Sequence, residues 1–306
     1  MTSARRPLPT DIVALVSFDG RVYPNEARPF DRLGNSHDKA HALETALEQW
    51  FSFATNKHTW ISVHGATIRG LISARPRTKR SAWEVELLIN TTDDHSVWQS
   101  LFTRMLSGIG RQGAERIFLR VAADSPVKEA AREAGFFAYA NETLYRRPAL
   151  PPVTEPEAGL RRRKKADGMG VFQLYSRAVP ANVRAIEGAT YREWIAAREK
   201  WGGRSTDLVL ERDGAIDAWV RIVSGQIVRL GLLSCAGYDD FASAALQTAG
   251  EREVFCLAPD YAPGLISALD RSGFSPAGDF AVLAKRLARP VNELAREAAN
   301  EAIPVS

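Results

Sequence analysis

Two glutamates in one short apolar segment are the residues whose type and spacing best suit chemistry. Glu84 and Glu86 lie in WEVELLI (83–89), whose composition predicts a strand. Residues two apart on a strand share a face, so both carboxylates point the same way. Paired carboxylates raise each other's proton affinity, so one could act as a base near neutral pH while the other holds an amine's cation. The alternative is that both face solvent or meet Arg75 and Arg77 across the hairpin.

Other residues that often carry chemistry lack the spacing that it requires. The segment GIGRQG (108–113) matches a dinucleotide-binding string, but it follows a predicted helix and precedes a predicted strand, the reverse of the required order. No Ser or Cys lies in a nucleophile elbow. The two cysteines give neither a metal spacing nor a disulfide framework. The histidines show no ligand spacing beyond His37 and His41, so we expect no metal.

Length and composition indicate a soluble chain of two domains. The chain has 306 residues, whereas a domain typically has ~100–200. Its 45% hydrophobic and 25% charged residues are ordinary for globular proteins, and no apolar run approaches the ~18 residues of a membrane helix. The apolar stretch 12–18 is closed off by Asp11 and Asp19, which argues against a signal peptide. We therefore expect a cytoplasmic protein without a membrane partner.

The net charge of +4 is small for a chain that binds nucleic acid. Basic residues cluster at 75–80 and at 161–165, but they do not form the concentrated stripe that nucleic acid requires. We interpret both clusters as solvated surface. A docking surface for phosphates or another acidic partner is the alternative.

A proline-rich segment divides the chain. PALPPVTEP holds four prolines, which fix φ and remove backbone donors, so it predicts an extended linker. We expect a first domain at 1–149, a linker at 150–157, a second domain at 158–288 and a tail at 289–306.

The two halves share one predicted order of elements. Each contains helices, three antiparallel strands, a helix, a strand, a helix and a last strand, with a Gly-Phe pair at Gly135 or Gly273 before the last strand. The first two strands form hairpins that turn at His64-Gly65 and at Asp213-Gly214. Asp-Gly is the stronger signal because both turn positions need φ > 0. The pattern predicts a mixed α/β fold with an internal repeat of about 140 residues.

This order, with its Gly-Phe pairs, resembles the GNAT superfamily of acyl-CoA N-acyltransferases over nearly the whole chain, as a tandem pair. The resemblance implies two GNAT-like domains, each a mixed, mostly antiparallel sheet flanked by helices, with the first helices at 10–34 and 169–188. It also implies acetyl-CoA or another acyl-CoA as co-substrate. The acceptor would be an amine of a small molecule or peptide.

In this family, the pyrophosphate of acyl-CoA binds a glycine-rich cradle after the fourth strand. The resemblance assigns acyl-CoA contacts in the first half to Leu88, Ile89, Asn90, Thr91, Ser96 and Val97. The cradle itself departs from the family, because Asp93 and Asp94 stand in it. The second half offers only Gly237, followed by Asp239 and Asp240. Carboxylates repel phosphate, so we predict weak pyrophosphate binding at 90–97.

The family's general acid and base can also be placed. A Tyr four residues before the Gly of Gly-Phe protonates the leaving thiolate, but Ala131 and Leu269 stand there. The tyrosines near these positions are better explained as core residues: Tyr139, Tyr145 and Tyr261. The base lies on the fourth strand, which in the first half gives Glu84 with Glu86 beside it. The corresponding strand of the second half has Arg229 and Gly231 instead.

Two hypotheses follow from these residues. The first is an N-acyltransferase of the GNAT type whose site lies in the first half. The second is a catalytically inactive GNAT-fold protein that binds a small ligand or a protein partner. Both cradles and both tyrosine positions depart from the family, which favours the second hypothesis. The strand carboxylates favour the first.

Overall fold

The structure is a computed structural model that describes residues 3–11, 23–34, 39–40, 58–65, 67–92, 94–149, 159–225, 227–235 and 237–287. The predicted linker at 150–157 and the tail at 289–306 lie outside these residues. The same is true of Asp93, His37 and His41. Expectations that concern them stay predictions, as do the domain boundaries.

The described elements of the first half are mostly strands. The strands are β1 (Ser3–Arg5), β2 (Tyr23–Pro24), β3 (Lys39–Ala40), β4 (His58–His64), β5 (Thr67–Pro76), β6 (Ala82–Asn90), β7 (Arg116–Ala122) and β8 (Phe137–Arg147). The helices are α1 (His95–Gly110), which follows β6, and α2 (Val127–Glu133), which follows β7.

The second half contains more helix. Its strands are β9 (Arg161–Arg162), β10 (Arg204–Arg212), β11 (Ala215–Ser224), β12 (Val228–Ser234), β13 (Val254–Pro259) and β14 (Ser275–Arg286). Its helices are α3 (Gly168–Ala178), α4 (Ala181–Glu187), α5 (Tyr191–Ala197), α6 (Asp239–Ala249) and α7 (Pro263–Arg271).

The predicted mixed α/β fold of two GNAT-like halves is confirmed. Each half has a three-stranded antiparallel meander, then a helix, a strand, a helix and a last strand. The second hairpin turns at Asp213 (φ 50°) and Gly214 (φ 77°), the positive values that its Asp-Gly pair predicts. The segment GIGRQG comprises the end of α1 and the turn that follows it.

The helix predicted over 10–34 is wrong for residues 23–34. This stretch contains the short strand β2, the non-helical residues 25–29 and a single 3₁₀ turn at Phe30–Arg32. Two prolines, Pro24 and Pro29, explain the difference, because proline removes a backbone donor and disfavours helix in the residue before it.

The two halves form one sheet because their last strands are exchanged. Twelve described strands run in the order β1-β4-β5-β6-β7-β14-β8-β13-β12-β11-β10-β9. The last strand of the second half, β14, pairs with β7 of the first half, and the last strand of the first half, β8, pairs with β13 of the second. β14 and β8 also pair with each other. The exchanged strands β14 and β8 therefore lie side by side at the centre of the sheet and join the two halves.

Each half has two parallel neighbours that separate partway along their length. β6 pairs with β7 only over Ala82–Glu84, and β12 pairs with β13 only over Val228–Leu230. Beyond these residues the two strands of each pair diverge. The fold thus has two equivalent gaps in its sheet, one per half.

Candidate active site

The gap in the first half is filled by the chain itself. Asn25 donates its side-chain amide to the carbonyl of Glu86 (3.1 Å) and accepts a hydrogen bond from the backbone N–H of Leu88 (2.8 Å). The N–H of Glu26 donates to the carbonyl of Leu88 (2.8 Å). These bonds satisfy the edge of β6 where its ladder with β7 has ended.

The same segment also contacts the other side of the gap. The N–H of Arg28 donates to the carbonyl of Arg120 on β7 (2.8 Å), and Glu26 accepts from the hydroxyl of Ser125 (2.7 Å). Ala27 is 1% exposed and belongs to the core of the first half. Residues 25–28 therefore lie between β6 and β7, and we call them the plug segment.

We expect Asn25→Ala to lower the free energy of unfolding by about 2 kcal/mol. The substitution leaves the N–H of Leu88 and the carbonyl of Glu86 without their partner in a buried place, and each unsatisfied group costs roughly 1–3 kcal/mol. Urea denaturation measures the change. Asn141→Ala is the matched control, because Asn141 is exposed. Equal effects of the two substitutions would contradict the structural role of Asn25.

Glu84 and Glu86 are buried and bonded to basic and polar neighbours. Glu84 accepts from the Nε atoms of Arg75 (2.7 Å) and Arg77 (3.2 Å). A terminal nitrogen of Arg75 also lies 3.3 Å from one carboxylate oxygen of Glu86. The other oxygen of Glu86 accepts a hydrogen bond from the hydroxyl of Ser73. These are the arginine contacts of the alternative sequence interpretation. The plug segment bonds to the backbone of β6 beside them, and a catalytic role for the two carboxylates stays a prediction.

Three of the residues assigned to acyl-CoA lie in the core. Leu88, Ile89 and Val97 are at most 1% exposed. The hydroxyl of Thr91 donates to the carbonyl of Arg69 (3.1 Å). These side chains contribute packing and a local turn.

The remaining two assigned residues support the start of α1. Asn90 donates to the carbonyl of Asp94 (3.2 Å), and the N–H of Ser96 donates to the Asp94 carboxylate (2.9 Å), which caps the helix. The hydrogen bonds from Ser96 hold the pKa of Asp94 below its ordinary value. A carboxylate thus stands in the loop where the resemblance predicts a pyrophosphate site.

The gap in the second half is not filled by a described segment. The N–H of Val228 donates to the carbonyl of Glu253. Backbone N–H and carbonyl groups alternate sides along a strand, so every second residue of β12, counted from Val228, directs them towards β13. The ladder ends at Leu230 with Cys256, so Leu232 is the next residue whose N–H and carbonyl turn towards the gap. Leu232 lies two residues beyond the last pair, as Glu86 does in the first half. The backbone carbonyl of Glu86 is bonded to the plug segment.

A cavity of about 240 Å³ opens at this gap. Its walls come from β11, β12, the end of β13, the helices α3 to α5 and the faces of β7 and β8. Trp201 lies across Gly231, where a Cβ atom would be only 2.1 Å from the indole ring. The Trp201 ring also contacts Phe30, at 4.2 Å between centroids. The cavity therefore has an aromatic wall that only glycine at position 231 permits.

A carboxylate lines this cavity without an arginine in hydrogen-bond contact among the described residues. Glu187, at the end of α4, accepts hydrogen bonds from the hydroxyls of Tyr139 (3.1 Å) and Tyr175 (3.3 Å). Burial raises the pKa of Glu187 to about 7, against the lowering effect of Arg77. A group with this pKa accepts a proton efficiently near neutral pH.

A buried ion-pair network joins the two halves beside Glu187. Glu199, which follows α5, pairs with Arg77 (2.9 Å) and with Arg120 (2.9 Å) of the first half. Arg120 also pairs with Glu142 (2.6 Å), and Arg77 continues the network to Glu84. Arginines of the first half thereby hold Glu142 and Glu199, two of the carboxylates that line the cavity.

The loop after β12 lacks a glycine-rich cradle in the residues that the structure describes. Asp239 begins α6 and forms an exposed ion pair with Arg271 (2.7 Å). At the two positions where the family places its tyrosine, Ala131 and Leu269 are fully buried in the core. Tyr261, which follows β13, places a hydroxyl-bearing side chain in the cavity wall instead.

Sequence reasoning missed Glu187. It assigned Tyr139 and Tyr261 to the core, and both do pack against a buried hydrophobic cluster, but they also line the cavity. The sequence signal for Glu187 is weak, since a glutamate at a helix end before a glycine is common. Its partner Tyr139 lies 48 residues away along the chain, on the exchanged strand β8. Only the pairing of β8 with the second half brings these residues together.

Two absences concern only the part of the chain that the structure describes. It contains no group of three or more His, Cys, Asp or Glu residues placed to hold a metal ion. Within the same residues, no helix has the length and apolar character needed to cross a membrane.

The chain was compared with known families, curated proteins and solved structures. No family model and no curated protein matches it. Among solved structures, it resembles a GCN5-related N-acetyltransferase from Sphaerobacter thermophilus, with 14% identity over 94% of this chain and 96% of that one, at a TM-score of 0.59. It also resembles a tandem GNAT protein from the clavulanic acid biosynthesis pathway, with 13% identity over 94% of this chain and 98% of that one, at a TM-score of 0.51.

Proposed function

We propose that this chain, which has the fold of tandem GNAT proteins, transfers an acyl group from acyl-CoA to an amine in the cavity of its second half. One observation carries the proposal. The gap between β12 and β13 opens onto a cavity, whereas the plug segment occupies the equivalent gap of the first half. This location differs from the first-half site that the sequence favours.

The residues around the gap suit both substrates. An acyl-CoA such as acetyl-CoA supplies an acyl group on a thioester. Leu232 offers a backbone N–H and carbonyl towards the gap, in the place where the plug segment binds β6 in the first half. Such backbone groups can bind an amide chain as a neighbouring strand does. The amine belongs on the other side, beside Glu187 and the ion-pair network.

Glu187 acts as the base in this proposal. It removes the proton from the ammonium group, and the free amine attacks the thioester carbon. The C–N bond forms, the C–S bond breaks, and the thiolate leaves. Tyr261 is the candidate donor of the proton that the thiolate takes, since it is a hydroxyl-bearing residue that lines the cavity. The nitrogen loses its second proton as the amide forms, and this proton restores Tyr261, while Glu187 releases its own proton to water. Holding the two reactants together in one cavity supplies a further part of the rate.

Ala262→Trp should weaken acetyl-CoA binding about tenfold or more. Ala262 is half-buried beside the gap and lines the cavity, so a large ring there occupies the space that acyl-CoA needs. A tenfold loss corresponds to about 1.4 kcal/mol. Titration calorimetry with acetyl-CoA measures the affinity. Ala215→Trp, which adds the same ring at an exposed position, is the control and should bind as the wild type does. Equal affinity of both variants would contradict a site in this gap.

The second candidate function is binding without catalysis. The acidic start of α6, where Asp239 pairs with Arg271, favours it because a carboxylate opposes pyrophosphate binding. The same calorimetry separates the two candidates. Wild-type protein that shows no saturable binding of acetyl-CoA would leave a ligand-binding GNAT-fold protein as the function.

A further inference from the structure

One guanidinium in the cavity wall has no carboxylate or hydrogen-bond partner among the described residues. Arg198 lies 5.1 Å from the ring centre of Trp194 and 5.4 Å from that of Trp219. It is half-buried, and it lines the cavity. Burial and the neighbouring Arg221 lower the pKa of Arg198 to about 10, so the group is still charged at neutral pH.

The neighbouring arginine is already neutralised. Arg221 donates to both carboxylate oxygens of Asp207 (2.9 and 3.1 Å), and Asp207 also accepts from the indole N–H of Trp219 (2.8 Å). Asp207 is therefore engaged by these two side chains. The wall formed by Arg198 and Arg221 has one uncompensated positive charge among the described residues.

Other residues of the cavity wall carry negative charge. Glu187, Glu142 and Glu199 line the cavity together with Arg77 and Arg120. Both of these arginines are paired with carboxylates of the network. The carboxylate of Glu187 accepts hydrogen bonds only from tyrosine hydroxyls among the described residues. The cavity wall thus has a carboxylate at Glu187 and a guanidinium at Arg198. Trp194 contacts both Arg198 and Tyr175, a hydrogen-bond partner of Glu187.

We propose that the acceptor is an amine that also carries a carboxylate, held with its ammonium group at Glu187 and its carboxylate at Arg198. Calling this ligand the acceptor rests on the proposed function, but its binding does not. A guanidinium binds a carboxylate through two parallel hydrogen bonds, and stacking on indole rings keeps its plane fixed. One free positive charge matches a monovalent carboxylate better than a dianionic phosphate. The small cavity suits a ligand the size of an amino acid.

The test compares amino acids with the amines that lack only the carboxylate. The probes are L-phenylalanine with 2-phenylethylamine, L-leucine with 3-methylbutylamine, and L-lysine with cadaverine. Calorimetry without acyl-CoA measures each affinity at pH 8, where Glu187 is charged. At least one amino acid should bind about tenfold more tightly than its amine, or more. Inorganic phosphate should not displace it.

Three variants test whether Arg198 causes the preference for amino acids over the matching amines. Arg198→Gln should weaken binding of that amino acid about tenfold and leave its amine unchanged. Arg198→Lys should retain part of the preference, since it keeps the charge but loses the planar fork. Arg192→Gln, at an exposed arginine on α5, should leave it intact. Thermal melts confirm that each variant is folded.

The outcomes separate this proposal from the proposed function. Equal binding of acids and amines, no saturable binding of any probe, displacement by phosphate, or a preference that survives Arg198→Gln would each overturn the carboxylate assignment. Selective binding of an amino acid that is never acetylated would support the assignment and contradict the transferase function. Acetylation of the amines as fast as the amino acids would support the function and contradict the assignment.

Discussion

Glu187→Gln should lower the rate of acyl transfer about 100-fold or more, because it removes the general base while keeping the shape of the side chain. The two tyrosine hydroxyls bond to different oxygens of Glu187. The oxygen of glutamine can accept from one hydroxyl and its NH2 group can donate to the oxygen of the other, so the cavity should keep its form. Release of free thiol from acetyl-CoA, with the best amine acceptor, measures the rate. Unchanged acetyl-CoA affinity in calorimetry excludes lost binding as the cause.

The matched comparison is Glu84→Gln, which tests the base that the sequence favours. Glu84 is bonded to Arg75 and Arg77, so this variant should lose stability rather than chemistry. Assays well below its melting temperature separate the two effects. If Glu84→Gln abolishes transfer and Glu187→Gln does not, the base lies in the first half and our placement of the site is wrong.

The pH profile gives a second readout of the same residue. Because the pKa of Glu187 is raised to about 7, kcat/KM should rise with pH and level off above that value in the wild type. The rise should be absent in Glu187→Gln. The raised pKa also favours the protonated native state, so the contribution of this group to stability is lost as the pH rises from 4.5 through about 7. The Glu187→Gln variant should not lose this stability as the pH rises.

Glu199→Ala should lower the free energy of unfolding by about 3–5 kcal/mol, because it leaves two buried guanidinium groups without their shared carboxylate. Arg77 and Arg120 are 6% and 5% exposed, so water compensates little. Burial alone would raise the pKa of Glu199, but the two arginines outweigh it and hold that pKa below its ordinary 4.5. The stabilisation is therefore present at neutral pH and is lost as the pH falls through the lowered pKa.

Urea denaturation at neutral and acid pH measures this effect. The control is Glu129→Ala, which breaks an exposed ion pair with Arg132 and should leave the stability almost unchanged. A loss below about 1 kcal/mol for Glu199→Ala would mean that the network does not hold the two halves together.

The sequence by itself determined the order of elements and the kind of fold. The hairpin at Asp213-Gly214 and the paired Gly-Phe positions at Gly135 and Gly273 depend on residues a few positions apart. Such signals are readable because turn conformations and strand alternation are local properties of the chain. The same signals supported the GNAT-like repeat, which the solved structures resemble.

The tertiary structure alone decided where a site can lie. The sequence could place Glu84 and Glu86 on one face, but it could not show that Arg75 contacts both carboxylates or that residues 25–28 fill the gap beside them. It also gave no sign that the last strands are exchanged, which brings Tyr139 to Glu187. Other contacts of this kind join residues that are far apart along the chain, such as Arg77 and Glu199, which are 122 positions apart. They depend on how strands pair and separate in three dimensions, which local spacing does not specify.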